Sequence, residues 1–152
     1  MKSFEEIMNE VYAKAQADIV NDLVNGKQWY WCSTDKGTAY ISPTGHYAYV
    51  IPKEKLFIKA VAFKDVHISE KLNLDYFDAR EIGKYKNPFG GYTQFVSKEG
   101  NIYTCFYDKV LRHFPKEAQL CVSGSMSCAM VCVEGICIGY AMPIMVPITS
   151  EV

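Results

Sequence analysis

The sequence predicts an α+β domain: an antiparallel sheet with helices on one face. Three observations carry that expectation. Residues 3–24 repeat apolar side chains every three or four positions, the period of a helix with one buried face. After Gly26 the chain breaks into short runs of aromatic and β-branched residues, divided by Gly, Pro and Asn turn signals, as antiparallel strands do. At 152 residues the chain has the length of one domain, residues 1–152.

The elements follow in order. In the predicted helix, Phe4, Met8, Val11, Ala15, Ile19 and Leu23 form the apolar stripe, Ser3 with Glu6 matches a capping box, and Asn25-Gly26 supplies the stop. Its polar face carries Glu5, Glu6, Glu10, Asp18 and Asp22 against Lys2 and Lys14, so it is acidic. Residues 28–33, 38–42 and 47–51 read as a meander. Residues 53–63 fit either a short helix after Pro52 or another strand, and residues 66–91 are the least regular part. Residues 92–96 and 102–106 read as a hairpin, and 107–114 as a short helix ended by Pro115. Residues 119–123, 129–133 and 136–141 read as strands, the last two apolar on both faces. Helix-then-strands occurs twice in this order, without a sequence repeat.

Composition excludes several classes. Hydrophobic residues make up 49% and charged residues 22%, the balance of a globular chain. A net charge of -1 excludes a protein that coats DNA by overall positive charge, though not one with a local basic patch. No apolar run reaches the ~20 residues of a membrane helix. Residues 136–148 are broken by Gly139, Pro143 and Pro147, and Glu5, Glu6 and Glu10 stand where an export signal would be basic, so the expected location is cytoplasmic, with no membrane partner.

No motif for catalysis, metal or cofactor emerges. The 6 cysteines form no C-x-x-C pair and read as reduced, buried thiols. If Glu134-Gly135 is a two-residue turn, Cys132 and Cys137 stand opposite each other, and a cross-strand disulfide becomes geometrically conceivable. His46 and His67 lack the partners that a ligand or a base needs. Ser125 lacks the flanking glycines of a nucleophile elbow, and Gly90-Gly91 is not a phosphate loop. Asp75, Asp78 and Glu81 have the spacing of one helical face, which is common on solvated surface. Basic residues concentrate once: on a helix, Lys109, Arg112 or His113, and Lys116 would share a face able to touch phosphates.

The C-terminal segment supplies a resemblance. Tyr107-Asp-Lys-Val-Leu-Arg-His-Phe114 is followed by a strand ending in Ser123-Gly124, then a strand pair, then Met142-Pro143-Ile144-Met145. This resembles the closing half of a domain of the bacterial DNA sliding clamp, over about 40 residues. The resemblance implies a clamp-like fold whose helices face DNA, subunits joined edge to edge in a ring, and a groove for short peptides of clamp partners. Carried over, Lys109, Arg112 and Lys116 are the DNA-contact candidates, and Met142, Pro143 and Met145 are the groove candidates. The expected function is therefore a non-catalytic clamp-like binding protein, of phage or mobile-element origin, acting in DNA replication or engaging clamp partners. One domain per chain would require about six copies for a ring. The acidic first helix favours a second reading, a single-domain interaction module with the same fold and no DNA role. A third is a small enzyme with its site in the aromatic loop of residues 76–92.

Overall fold

The computed structural model describes residues 2–66, 75–88, 90–107 and 109–144. The first element, α1 (Phe4–Val24), begins where the capping box places it: the Glu6 N–H donates to Ser3 Oγ at 3.2 Å and the Ser3 N–H to Glu6 Oε1 at 3.3 Å. It ends as expected. Gly26 takes φ 81° and lets the Lys27 N–H reach back to the Asp22 carbonyl at 2.9 Å. The buried stripe runs through Met8, Tyr12, Ala15 and Ile19, while Phe4 is 42% exposed. Gln16 is buried in the same stripe, donating to the Lys55 carbonyl and accepting from the Phe57 N–H, both at 2.8 Å. A polar residue is stable there because both ends of its amide are satisfied.

Ten strands follow among the described residues: β1 (Trp29–Thr34), β2 (Gly37–Ile41), β3 (Tyr47–Val50), β4 (Phe63–Asp65), β5 (Phe77–Asn87), β6 (Gly90–Ser97), β7 (Ile102–Phe106), β8 (Gln119–Val122), β9 (Ala129–Val133) and β10 (Ile136–Ala141). They form one sheet in the order β4-β1-β2-β3-β10-β9-β8-β5-β6-β7. The mixed α+β class holds, with two corrections. Among the described residues α1 is the single α-helix, and the sheet is mixed rather than antiparallel, because β4 runs parallel to β1 at one edge.

The ambiguous stretch 53–63 is neither of the expected forms. It makes two single 3₁₀ turns, Lys53–Lys55 and Ala60–Ala62, before β4. The part read as least regular contains the longest strand, β5, which pairs with β8 through Phe77 and Asp78 and with β6 from Ala79 onward. Asp78 and Glu81 therefore lie on a strand, and their helical spacing brings nothing together. His67 lies outside the described residues.

Two three-stranded meanders meet at the centre of the sheet. β1-β2-β3 and β8-β9-β10 pair through their last strands, β3 with β10. Gly139 makes that junction, because a Cβ there would collide with the Ala48 carbonyl oxygen and stand 2.6 Å from the Phe114 ring. Beyond β10 the chain bridges to the far edge: the Met142 N–H donates to the His46 carbonyl at 2.9 Å and the Ile144 N–H to the Thr104 carbonyl of β7 at 2.8 Å. The main core lies between α1 and the sheet, around Trp29, Tyr49, Val131, Val133 and Ile138. A smaller cluster of Cys32, Ala48, Val50 and Tyr140 covers the opposite face.

Candidate functional site

The segment before β8 carries Lys109, Arg112 and Lys116, the basic candidates of the sequence. It is not a helix. One 3₁₀ turn, Leu111–His113, forms between the buried anchors Val110 and Phe114. Phe114 is extended (φ -108°, ψ 153°), as a residue preceding proline must be. The predicted helical face of Lys109, Arg112 and Lys116 therefore does not exist, and each side chain is placed separately. Lys109 Nζ sits 4.5 Å from the centre of the Phe106 ring. Arg112 and Lys116 instead line an open cleft of about 490 Å³.

That cleft gathers charge from across the chain. Lys14 of α1 and Lys84 of β5 join Arg112 and Lys116 around it, with Glu81 as the one acidic residue on its wall among the described residues. Lys84 Nζ also stands 5.4 Å from the centre of the Tyr107 ring, which lines the same cleft. The sequence reading missed Lys14 and Lys84, and no local signal could have supplied them, since only folding unites these elements. Such a surface suits phosphate groups through charge and bases through stacking.

Beside the cleft a polar knot fastens α1 to the sheet. Asp18 Oδ2 accepts from the Tyr49 hydroxyl at 2.7 Å and the Tyr47 hydroxyl at 3.1 Å, and lies 3.3 Å from His113 Nδ1. The His113 ring stacks on Tyr47, with centroids 4.1 Å apart. Burial alone would raise the Asp18 pKa, but the hydrogen bonds from His113, Tyr49 and Tyr47 outweigh it and hold the carboxyl below its ordinary value. Burial first, and then the Asp18 carboxylate, push both phenols far above theirs. The tyrosines are thus fixed as donors and Asp18 as their acceptor, an arrangement that ties α1 to β3. A second carboxylate, Asp22, accepts from the Trp29 indole N–H at 3.0 Å. Asp18 and Asp22 therefore turn partly inward, and the exposed acid of α1 reduces to Glu5, Glu6 and Glu10, the last paired with Lys2 at 2.8 Å.

The groove candidates sit in the bridge after β10. Met142 and Pro143 are half-buried; the Met142 carbonyl accepts from Cys105 Sγ at 3.4 Å and its sulfur lies 2.8 Å from Cys128 Sγ. Met145 lies outside the described residues. Of the cysteines, Cys137 is half-buried and the other five are buried. Cys132 and Cys137 do stand opposite each other on β9 and β10. Among the described residues no three His, Cys, Asp or Glu side chains converge as metal ligands, and no helix is long and apolar enough to cross a membrane. Comparison with protein-family models, with curated proteins and with solved structures finds no match for this chain.

Proposed function

We propose that this chain is a non-catalytic, clamp-like binding protein whose basic face engages nucleic-acid phosphates. The observation that carries the reading is the basic cleft of Lys14, Lys84, Arg112 and Lys116, built on the face that bears α1 and the 3₁₀ segment. Two features support the clamp-like part. Each three-stranded meander is preceded by a helical piece, and the two meanders join through their last strands. His113 meets Asp18, so the two helical pieces lie side by side on one face. The repeated order of helical piece and three strands supports the clamp-like reading.

Solution mass by light scattering, with and without primed DNA, tests it. A ring of six 17.2 kDa chains has a mass of about 103 kDa, and that species appearing or persisting with DNA is the expected result. A monomer or dimer indifferent to DNA overturns the reading in favour of an interaction module on the same fold. The exposed Glu5 and Glu6 at the start of α1 favour that second reading, since they repel phosphates.

A further inference from the structure

We propose that Cys132 and Cys137 form a reversible dithiol–disulfide site, oxidised by small-molecule disulfides, on the face opposite the basic cleft. Register is the first support. β9 and β10 are joined by the two-residue turn Glu134-Gly135, whose residues both have positive φ, 48° and 82°. Positive φ at both positions defines the turn that closes a tight hairpin on a hydrogen-bonded pair. Val133 and Ile136 are that pair, so Cys132 and Cys137, the next one, occupy a non-hydrogen-bonded position. There opposing Cα atoms approach to about 4.5 Å, within the span a disulfide bridges.

The neighbours supply selectivity and activation. Cys121 also contacts Cys132, but it pairs with Met130, so it stands diagonal to Cys132. Diagonal residues are about 7–8 Å apart, too far for a bond without backbone movement. Only the Cys132–Cys137 pair is set for closure. Cys137 is the more exposed of the two. A hydrogen bond from Cys132 favours its thiolate, and Lys36 and the Tyr140 hydroxyl act in the same direction. The buried Tyr140 hydroxyl lies beside the sulfur that would carry charge, with Thr34 as its other polar neighbour. Among the described residues the acids near this group of thiols include Asp35, Asp78, which accepts from Cys121 Sγ at 3.3 Å, and Glu134 in the turn itself.

The chemistry is two exchanges. The Cys137 thiolate attacks one sulfur of a disulfide RSSR; that S–S bond breaks, and RS⁻ leaves to take up a proton. Cys132 then gives up its proton and attacks the Cys137 sulfur of the mixed disulfide, releasing the second RS⁻. The protein loses two protons and two electrons, and RSSR becomes two thiols.

The test treats the reduced full chain with oxidised glutathione, blocks remaining thiols and maps disulfides by mass spectrometry. One intrachain bond joining Cys132 to Cys137, reversed by dithiothreitol with an unchanged far-UV spectrum, is expected. Cys132→Ser should stop at a single glutathione on Cys137, and Cys137→Ser should form no intrachain bond. An unreacted chain, a bond through Cys121, or glutathione persisting on Cys137 of the unsubstituted chain would each overturn the proposal. Mapping of the unsubstituted chain decides the matter even if a serine variant fails to fold.

Discussion

Asp18 carries three interactions on one oxygen, and each comes from a different side chain: Tyr47 and Tyr49 on β3, and His113 in the turn before β8. Such a residue couples stability to pH. Its folded pKa is depressed, so its contribution is fully present above the unfolded value, about 4, and is lost as pH falls through the folded one. Protonation would also place a new donor among three existing ones. Asp18→Asn is therefore expected to lower stability at neutral pH by about 1–3 kcal/mol. It should also flatten the loss of stability below about pH 4, read as the urea midpoint against pH. Parallel acid profiles for the two proteins would show that Asp18 is not a main source of the acid sensitivity. The sequence placed Asp18 on a solvated acidic face, because a carboxylate at the margin of an apolar stripe looks the same whether it meets water or hydroxyls. Tyr47 and Tyr49, two apart on one strand and so on one face, are the sign that a polar partner was needed.

At the scale of elements, what was legible is what local chemistry dictates. The limits of α1 follow from Ser3, Glu6 and Gly26, and the meander from its turn residues. What was not legible depends on partners. β5 alternates apolar and charged residues only at Phe77 to Arg80 and Lys84 to Lys86, and Glu81-Ile82-Gly83 breaks the pattern at a register shift, so the local signal is weak; pairing with β6 and β8 makes it one strand. The segment 107–114 has helical spacing, yet burying Val110 and Phe114 on either side of one turn outweighs the gain from a short helix that is marginal by itself. β10 shows the same dependence at Gly139. Its missing side chain admits both the Ala48 carbonyl and the Phe114 ring, so the strand pairing and the 3₁₀ segment rest on one hydrogen atom. Gly139→Ala is expected to cost about 1–3 kcal/mol through overpacking, and the backbone contact makes relief by rotamer change impossible. Thermal unfolding measures this, with Gly124→Ala as the control, since a Cβ at that site meets nothing within 4 Å. Equal midpoints for the two variants would mean that β3 and β10 separate easily.

For the whole molecule, net charge hides its distribution. The chain is at -1, yet Lys14, Lys84, Arg112 and Lys116 share one cleft while Glu5 and Glu6 lie exposed in the first turn of α1. Arg112 and Lys116 were singled out in the sequence for a reason that fails, a common helical face, yet the fold brings them together by another route. Lys109, chosen by the same reasoning, is held over Phe106 instead. These placements separate the two kinds of lysine experimentally. Lys84 and Lys116 are exposed, so reversing both should leave the fold intact. If the cleft neutralises phosphates, Lys84→Glu with Lys116→Glu should abolish DNA binding at moderate salt. Substituting both by Ala should leave weak binding, with the slope of log affinity against log salt reduced by about 0.7–0.9 for each phosphate that is no longer neutralised. Lys109→Glu should change affinity far less. Two other results would each redirect the reading. Wild-type binding in the double Glu variant, measured across a salt series, would move the DNA contact off this cleft. A drop in affinity for Lys109→Glu as large as for the pair would mean that diffuse charge, rather than the geometry of the cleft, governs attraction.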